Sequence, residues 1–260
     1  MEVRKFKTKQ AIQWIKCGWR LGKKRLMTWL TTALVLTFAV LVLDFVPVIG
    51  EVVSAFLLPI ILCSSIIVAD RFNNPEAPPL NTGSKRTRGF MASLHYSKHM
   101  LFAAFKKEDR ILGIIGMAAG MMLFGIVIKV LMQVVGGGAI NAPAHFWQLS
   151  GAQFGALLAA NVAAYVAYLA LAMCFFYAIP LFMLRDYELK DAIKLSLKAS
   201  LSNFIPFVSY MAVLVSPLII AIIVAGISKL VGFAVLLVVG TVVWMLFINS
   251  MYCAYRLTFK

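Results

Sequence analysis

Few residues in this 260-residue chain have the type and spacing for chemistry. Asp44 and Glu51 flank Pro47-Val48-Ile49-Gly50, where two apolar runs meet. A carboxylate pair inside a membrane would bind a cation or relay a proton; at the water boundary it only trims a turn. His95 and His99 have i, i+4 spacing and would face one ligand from a helix. A metal site needs a third and a fourth donor, and no Glu follows His95 in the HExxH pattern. Glu108 and Asp109 lie far along the same segment. Met117, Met121 and Met122 offer the soft thioethers that suit copper. No Cys or His accompanies them in their run, and Met also fills gaps in apolar packing, so they read as core. Asn161, Tyr165 and Tyr168 share part of one helical face, and Asn249 and Tyr252 sit late in the last apolar run. These groups are expected either to hydrogen-bond between helices or to line a polar cavity. Lys129, 18 residues after Ile111, has a stem long enough to snorkel to an interface. No Ser-His-Asp set, P-loop, GxGxxG motif or paired carboxylates within a run occurs. The chain therefore reads as non-enzymatic, with no cofactor and no metal.

The elements that must position these residues are long and apolar. Hydrophobic residues make up 62% of the chain and charged residues 13%, against about 25% charged in soluble domains. A spanning helix needs roughly 20 apolar residues. Six stretches qualify, at about 26–46, 48–69, 111–135, 152–184, 205–225 and 230–252. They leave one membrane domain over 1–260 and no room for a separate soluble catalytic domain. The run from Leu26 has no small-residue cleavage site and reads as a retained span; a mitochondrial-type presequence is the other reading of the basic start. Cys17, Cys63, Cys174 and Cys253 stand alone, without CxxC spacing, so neither a disulfide framework nor a zinc site is expected.

Lys and Arg favour cytoplasmic loops. All but two of the 25 basic residues fall before the first run, between the second and third, between the fourth and fifth, or after the sixth. Only Lys129 and Lys229 lie on the other side. Both termini are then expected in the cytoplasm, with Asp44 and Glu51 in a solvated turn at the outer face. The net charge of +15 becomes a basic surface against anionic phospholipids, which displaces nucleic acid as the partner.

Each pair of runs is preceded by a basic amphipathic segment. The segment at 8–25 carries Lys16, Arg20, Lys23, Lys24 and Arg25, with Ile12, Ile15, Trp19 and Leu26 along one face, and Trp14, Trp19 and Trp29 at interfacial positions. The segment within 70–110 aligns Phe90, Leu94, Leu101 and Phe105; the one at 186–204 sets Lys190, Lys194 and Lys198 beside Ile193, Leu197, Leu201 and Phe204. The predicted fold is all-α, six spans as three hairpins, each entered through an interfacial helix. Helices in lipid associate through small residues. Gly151, Gly155, Ala159, Ala163 and Ala167 recur every four residues, with Ala152, Ala156, Ala160 and Ala164 beside them, and Gly116 and Gly120 mark the third span. The fourth span is expected to be central or an oligomer contact. Its length requires a tilt, a projection or a kink near Pro180.

Over residues 175–204 Pro180, Asp186, Asp191-Ala192, Ser196 and Asn203 follow a recurring order: a span ending at Pro, a polar turn, a short helix with Ala and Ser, then Asn and the next span. The first hairpin has a basic entry from Gly18 to Leu30, then Pro47, Gly50 and Pro59. This order resembles the uncharacterised YciC-like multi-span proteins of the bacterial inner membrane, and more widely the membrane domain attached to some glycerophosphodiester phosphodiesterases. The resemblance implies a fold and a compartment, without an activity or site residues. The expected role is an accessory, assembly or envelope-organising component that works through helix packing and lipid contacts, with other membrane proteins or further copies of itself as partners. The alternative is a small-molecule or lipid carrier with a site between hairpins, its polar cavity near Asn161, Tyr165, Tyr168 and Asn249.

Overall fold

The computed structural model describes residues 3–44, 49–74, 103–136, 151–227 and 229–259. Among them the regular structure is helical, and the single β-type contact is an isolated bridge between Val3 and Phe259. The helices are α1 (Gln10–Lys24), α2 (Leu26–Asp44), α3 (Ile49–Asn73), α4 (Ile111–Gly136), α5 (Gly151–Phe175), α6 (Ala178–Leu184), α7 (Leu189–Ser202), α8 (Phe204–Ile227) and α9 (Lys229–Thr258). Two 3-10 turns, Ala103–Lys106 and Glu108–Arg110, lead into α4. Five described stretches are long and apolar enough to cross a membrane: Val52–Asn73, Glu108–Val134, Leu158–Leu184, Phe204–Ala221 and Ala234–Thr258. Leu26–Phe38 in α2 is a shorter apolar stretch. Leu112, Leu123 and Val134 on α4 and Leu158, Val162 and Val166 on α5 face outward. So much contiguous apolar surface is untenable in water and natural against acyl chains.

Of the tilt, projection or kink near Pro180 expected for the run at 152–184, the structure shows a break into two helices. Pro180 has no N–H to give to the carbonyl of Phe176, and its ring crowds that carbonyl. The chain breaks at Phe176 and Tyr177, between α5 and α6. Ser196 of α7 repairs the break. Its hydroxyl donates to the Met173 carbonyl at 2.8 Å and accepts the Tyr177 N–H at 3.1 Å. Those two backbone groups would have paired in an unbroken helix. Ser200 adds a second donor to Met173 O at 3.2 Å. Ser196→Ala leaves a buried N–H without its acceptor, and a loss of about 1–3 kcal/mol is expected in thermal unfolding of the detergent-solubilised protein; an unchanged melting temperature would refute the bridge.

The helix at the centre is α9, which runs against α8, α1, α2 and α3. This corrects the expectation for the fourth span: α5 packs on α4 and α7, with lesser contact to α6, at the edge of the bundle. Five of the largest buried side chains, Trp14, Tyr177, Phe207, Tyr210 and Phe259, gather where α1, the α5–α6 break, α8 and the end of α9 meet. Phe176 is ringed by Trp14, Tyr177, Phe207, Tyr210 and Phe247, with centroids 4.9 to 6.5 Å away. The opposite ends of the helices carry no comparable aromatic cluster among the described residues.

Candidate functional site

Helix α1 docks on α9 along Ala11, Trp14, Gly18 and Gly22, all buried. A Cβ on Gly18 would stand 2.6 Å from the backbone nitrogen of Ser250, so the two backbones touch there. This seam differs from the apolar face read off the sequence. Ile12 and Trp19 point outward, Ile15 is half-buried, and Trp14 and Trp29 are buried in protein instead of lying at an interface. The same division holds in α7. Ala192, Ser196, Ala199 and Ser200 face the bundle, while Leu197, Leu201 and the following Phe204 are exposed. Each helix thus has a small-residue face for protein, a large apolar face outward and a basic flank. Lys16, Arg20, Lys23, Lys24, Arg25, Lys190, Lys194 and Lys198 are all exposed.

Cys17 and Cys253 are joined as a disulfide across the α1–α9 seam, with Cα atoms 6.2 Å apart. This overturns the reading of four solitary cysteines; Cys63 and Cys174 are free. The segment before α1 is held in turn. Asn203 accepts the Phe6 N–H at 2.7 Å and donates to the Arg4 carbonyl at 3.1 Å, and the Arg4 N–H reaches Thr258 O at 3.3 Å. On the far side of α7, Lys107 donates to Met183 O at 2.6 Å and Arg110 to Tyr187 O at 3.0 Å. Asp186 has a positive φ of 55°, a conformation Asp tolerates better than most residues. Its carboxylate receives Arg110 at 3.0 Å. The pair is exposed on the Asp side and contributes little beyond orientation. Pro180, Asp186, Ser196 and Asn203, singled out by their order in the sequence, therefore all serve the architecture of this end.

Between α2, α3, α8 and α9 lies a cavity of about 600 Å³. Its walls are Leu36 and Leu43 from α2, Leu57, Leu58 and Ile61 from α3, Met211, Leu214 and Leu218 from α8, and Val243, Trp244 and Phe247 from α9. Gly240 and Ser54, small residues among large ones, leave the room. Leu36 stands ten residues into α2, about 15 Å along the helix at 1.5 Å per residue, so the cavity begins well away from the α1 end of the bundle. Two lining residues bring polar atoms that are buried and lack a hydrogen-bond partner among the described residues: Trp244 Nε1 and Ser54 Oγ. Native interiors rarely leave such groups unpaired.

The structure does not bring the predicted polar cavity together. Tyr165 and Tyr168 are exposed on α5 beside exposed Asn161, whereas Asn249 is fully buried in α9 and donates to Met245 O at 2.9 Å. Among the described residues, Gly151 and Gly155 have nothing within 4 Å of an added Cβ, nor has Gly120, and Gly116 meets only Leu189 at 4.0 Å. Ala159 and Ala163 are exposed and Ala167 half-buried, while Ala160 and Ala164 of the adjoining ridge are buried. Among the described residues the glycines with no room for a Cβ include Gly18 and Gly22 against α9, Gly50 against the Leu43 backbone, and Gly113 against the Phe182 ring. Gly18-x-x-x-Gly22 is itself a small-xxx-small signal. Met117 is buried in the core, and Lys129 is exposed. His95 and His99 lie outside the described residues, as do Phe90, Leu94 and Leu101 and the turn 45–48.

Fold and hydropathy together define a multi-pass, all-helical membrane protein. No protein-family model, no curated protein and no solved structure matches the chain, so the resemblance to the YciC-like group gains no independent support.

Proposed function

We propose that this is a six-span protein of the bacterial cytoplasmic membrane that holds a lipid in the cavity between its α2–α3 and α8–α9 hairpins. The observation that carries this reading is the cavity itself: an apolar space of about 600 Å³, within the 300–1,000 Å³ of typical ligand sites. Its two unpaired polar atoms suit a chain that carries an oxygen, with the indole N–H of Trp244 donating and the Ser54 hydroxyl donating or accepting. The sixth span is α2. The charge asymmetry supports both termini in the cytoplasm, with the basic flanks of α1 and α7 against anionic headgroups. That orientation puts Cys17 and Cys253 at the end where thiols are ordinarily kept reduced; their Cα separation keeps the two in contact in either redox state.

A second reading, an assembly component that joins another helix, draws on the Gly151–Gly155–Ala159 ridge of α5, which faces outward with open space over both glycines. Native mass spectrometry of the full chain released from membranes addresses both. A retained lipid mass that disappears in Val215→Trp, which fills the cavity, and falls a few-fold in Trp244→Phe is the expected result. A particle without lipid but with a second protein copy, disrupted by Gly155→Leu, would replace the lipid reading with the second one. A bare monomer would end both.

A further inference from the structure

An open groove of about 510 Å³ lies between the segment before α1 and the α7–α8 junction. One wall is Lys7 and Thr8, and the floor is Leu201, Phe204 and Ile205. These three floor side chains are 58%, 46% and 62% exposed, an apolar cost with no return unless something covers them.

The groove is built, not incidental. Its wall is a non-helical segment fixed on both sides: Asn203 binds the backbone of Phe6 and Arg4, and the Val3–Phe259 bridge holds the segment against the end of α9. Asn203 is itself buried and also donates to Ala199 O at 3.0 Å, so the floor and the wall are fixed by one side chain. The charge around the groove has one sign. Arg4, Lys5, Lys7 and Lys9 occupy the segment without an acidic residue among positions 3–9. Lys198 stands one helical turn before Leu201 and Ser202, on the same side of α7. The nearest acid along α7, Asp191, is already at 3.9 Å from Lys194.

We infer that this groove binds one phospholipid with an anionic headgroup, its phosphate between Lys7 and Lys198 and its upper acyl segment on Leu201, Phe204 and Ile205. A free anion would make no use of the apolar floor, and a neutral lipid would make no use of the lysines. The Thr8 and Ser202 hydroxyls supply neutral donors to the same phosphate oxygens. The inference rests on the membrane placement argued above but not on the cavity between the hairpins.

The test uses the full chain in phosphatidylcholine bilayers with trace spin-labelled phosphatidylglycerol or spin-labelled phosphatidylcholine, reading the motionally restricted lipid fraction by electron paramagnetic resonance. Phosphatidylglycerol is expected to be selected over phosphatidylcholine. Lys7→Gln and Lys198→Gln should each reduce that selectivity by about fivefold, as expected for one basic residue near a lipid phosphate. Lys16→Gln with Arg20→Gln, equally basic but outside the groove lining, should reduce it less than either groove variant alone. Val215→Trp should also leave it unchanged, so that a failed cavity and a failed groove are told apart. Equal loss in both pairs of lysine and arginine variants would mean diffuse surface charge and overturn the site. Full competition by millimolar inorganic phosphate would assign the site to a soluble anion and overturn the lipid. Displacement of the labelled lipid by a poly-glutamate peptide alone would point to a protein partner, with the same consequence.

Discussion

Gly18→Leu is expected to lift α1 off the bundle. A Cβ at this position would meet the Ser250 backbone nitrogen at 2.6 Å and its Cα at 2.8 Å. Neither is the movable tip of a side chain, so the helix itself must shift. Overpacking ordinarily costs about 1–3 kcal/mol, and a backbone-to-backbone contact places this variant at the upper end or beyond. The shift also draws Cys17 away from Cys253. Two readouts should change together: the melting temperature falls, and the reduced cysteines of the purified variant fail to pair on mild oxidation, staying open to a maleimide where the parent chain closes its Cys17–Cys253 bond. Gly120→Ala is the control, since nothing lies within 4 Å of a Cβ there. It should be neutral or slightly stabilising, because Ala favours helix over Gly by about 1 kcal/mol. A Gly120→Ala variant as damaged as Gly18→Leu would mean that the two helix faces are assigned the wrong way round.

Trp14→Ala should cost about 3–5 kcal/mol, the range for removing a large buried aromatic side chain. Trp14 has no exposed surface and meets Phe6 edge-on at 6.0 Å and Tyr210 at 5.9 Å. Trp14→Phe should cost far less. The indole Nε1 has no hydrogen-bond partner among the described residues, so exchanging the indole for a phenyl ring loses volume without orphaning any polar group. Differential scanning fluorimetry on the two variants separates the cases. If Phe is as harmful as Ala, the indole N–H is bonded and the packing account is incomplete.

The contrast between these positions shows what could be read from the chain and what could not. Helix limits followed from length and hydropathy: the runs at 111–135 and 205–225 correspond to α4 and α8 within two residues. The break near Pro180 was also legible, because the missing N–H acts locally. Which face of α1 or α7 meets protein was not. A helix lying between protein and lipid is apolar on both sides, so hydrophobic periodicity marks the side away from water without distinguishing bundle from bilayer. Size separates the two faces: Ala11, Gly18 and Gly22 go inward while Ile12 and Trp19 stay out. The same ambiguity touches the Gly151–Ala167 ridge: its spacing is compatible with a packed seam, yet among the described residues Gly151 and Gly155 meet nothing, while Ala163 and Ala167 share a small pocket with Ile128, Leu131 and Met132 of α4. The partner of Cys17 lay 236 residues away, beyond any local pattern. The cavity needed four helices to be placed before it existed at all.

The α1–α9 seam also sets a clock on biogenesis. The first helix to leave the ribosome finds its partner in the last one. Over the 236 residues that separate Cys17 from Cys253, translation at roughly 5–20 residues per second takes about 10–50 s. Through that interval Gly18 and Gly22 lack the α9 face they pack on, while the side of α1 that carries Ile12, Trp19 and the basic flank is free to rest on a membrane surface. The amphipathic character that remains visible on its outer face is thus a parking brake for a nascent chain, released when α9 arrives. A ribosome stalled before α9 would leave α1 open to protease.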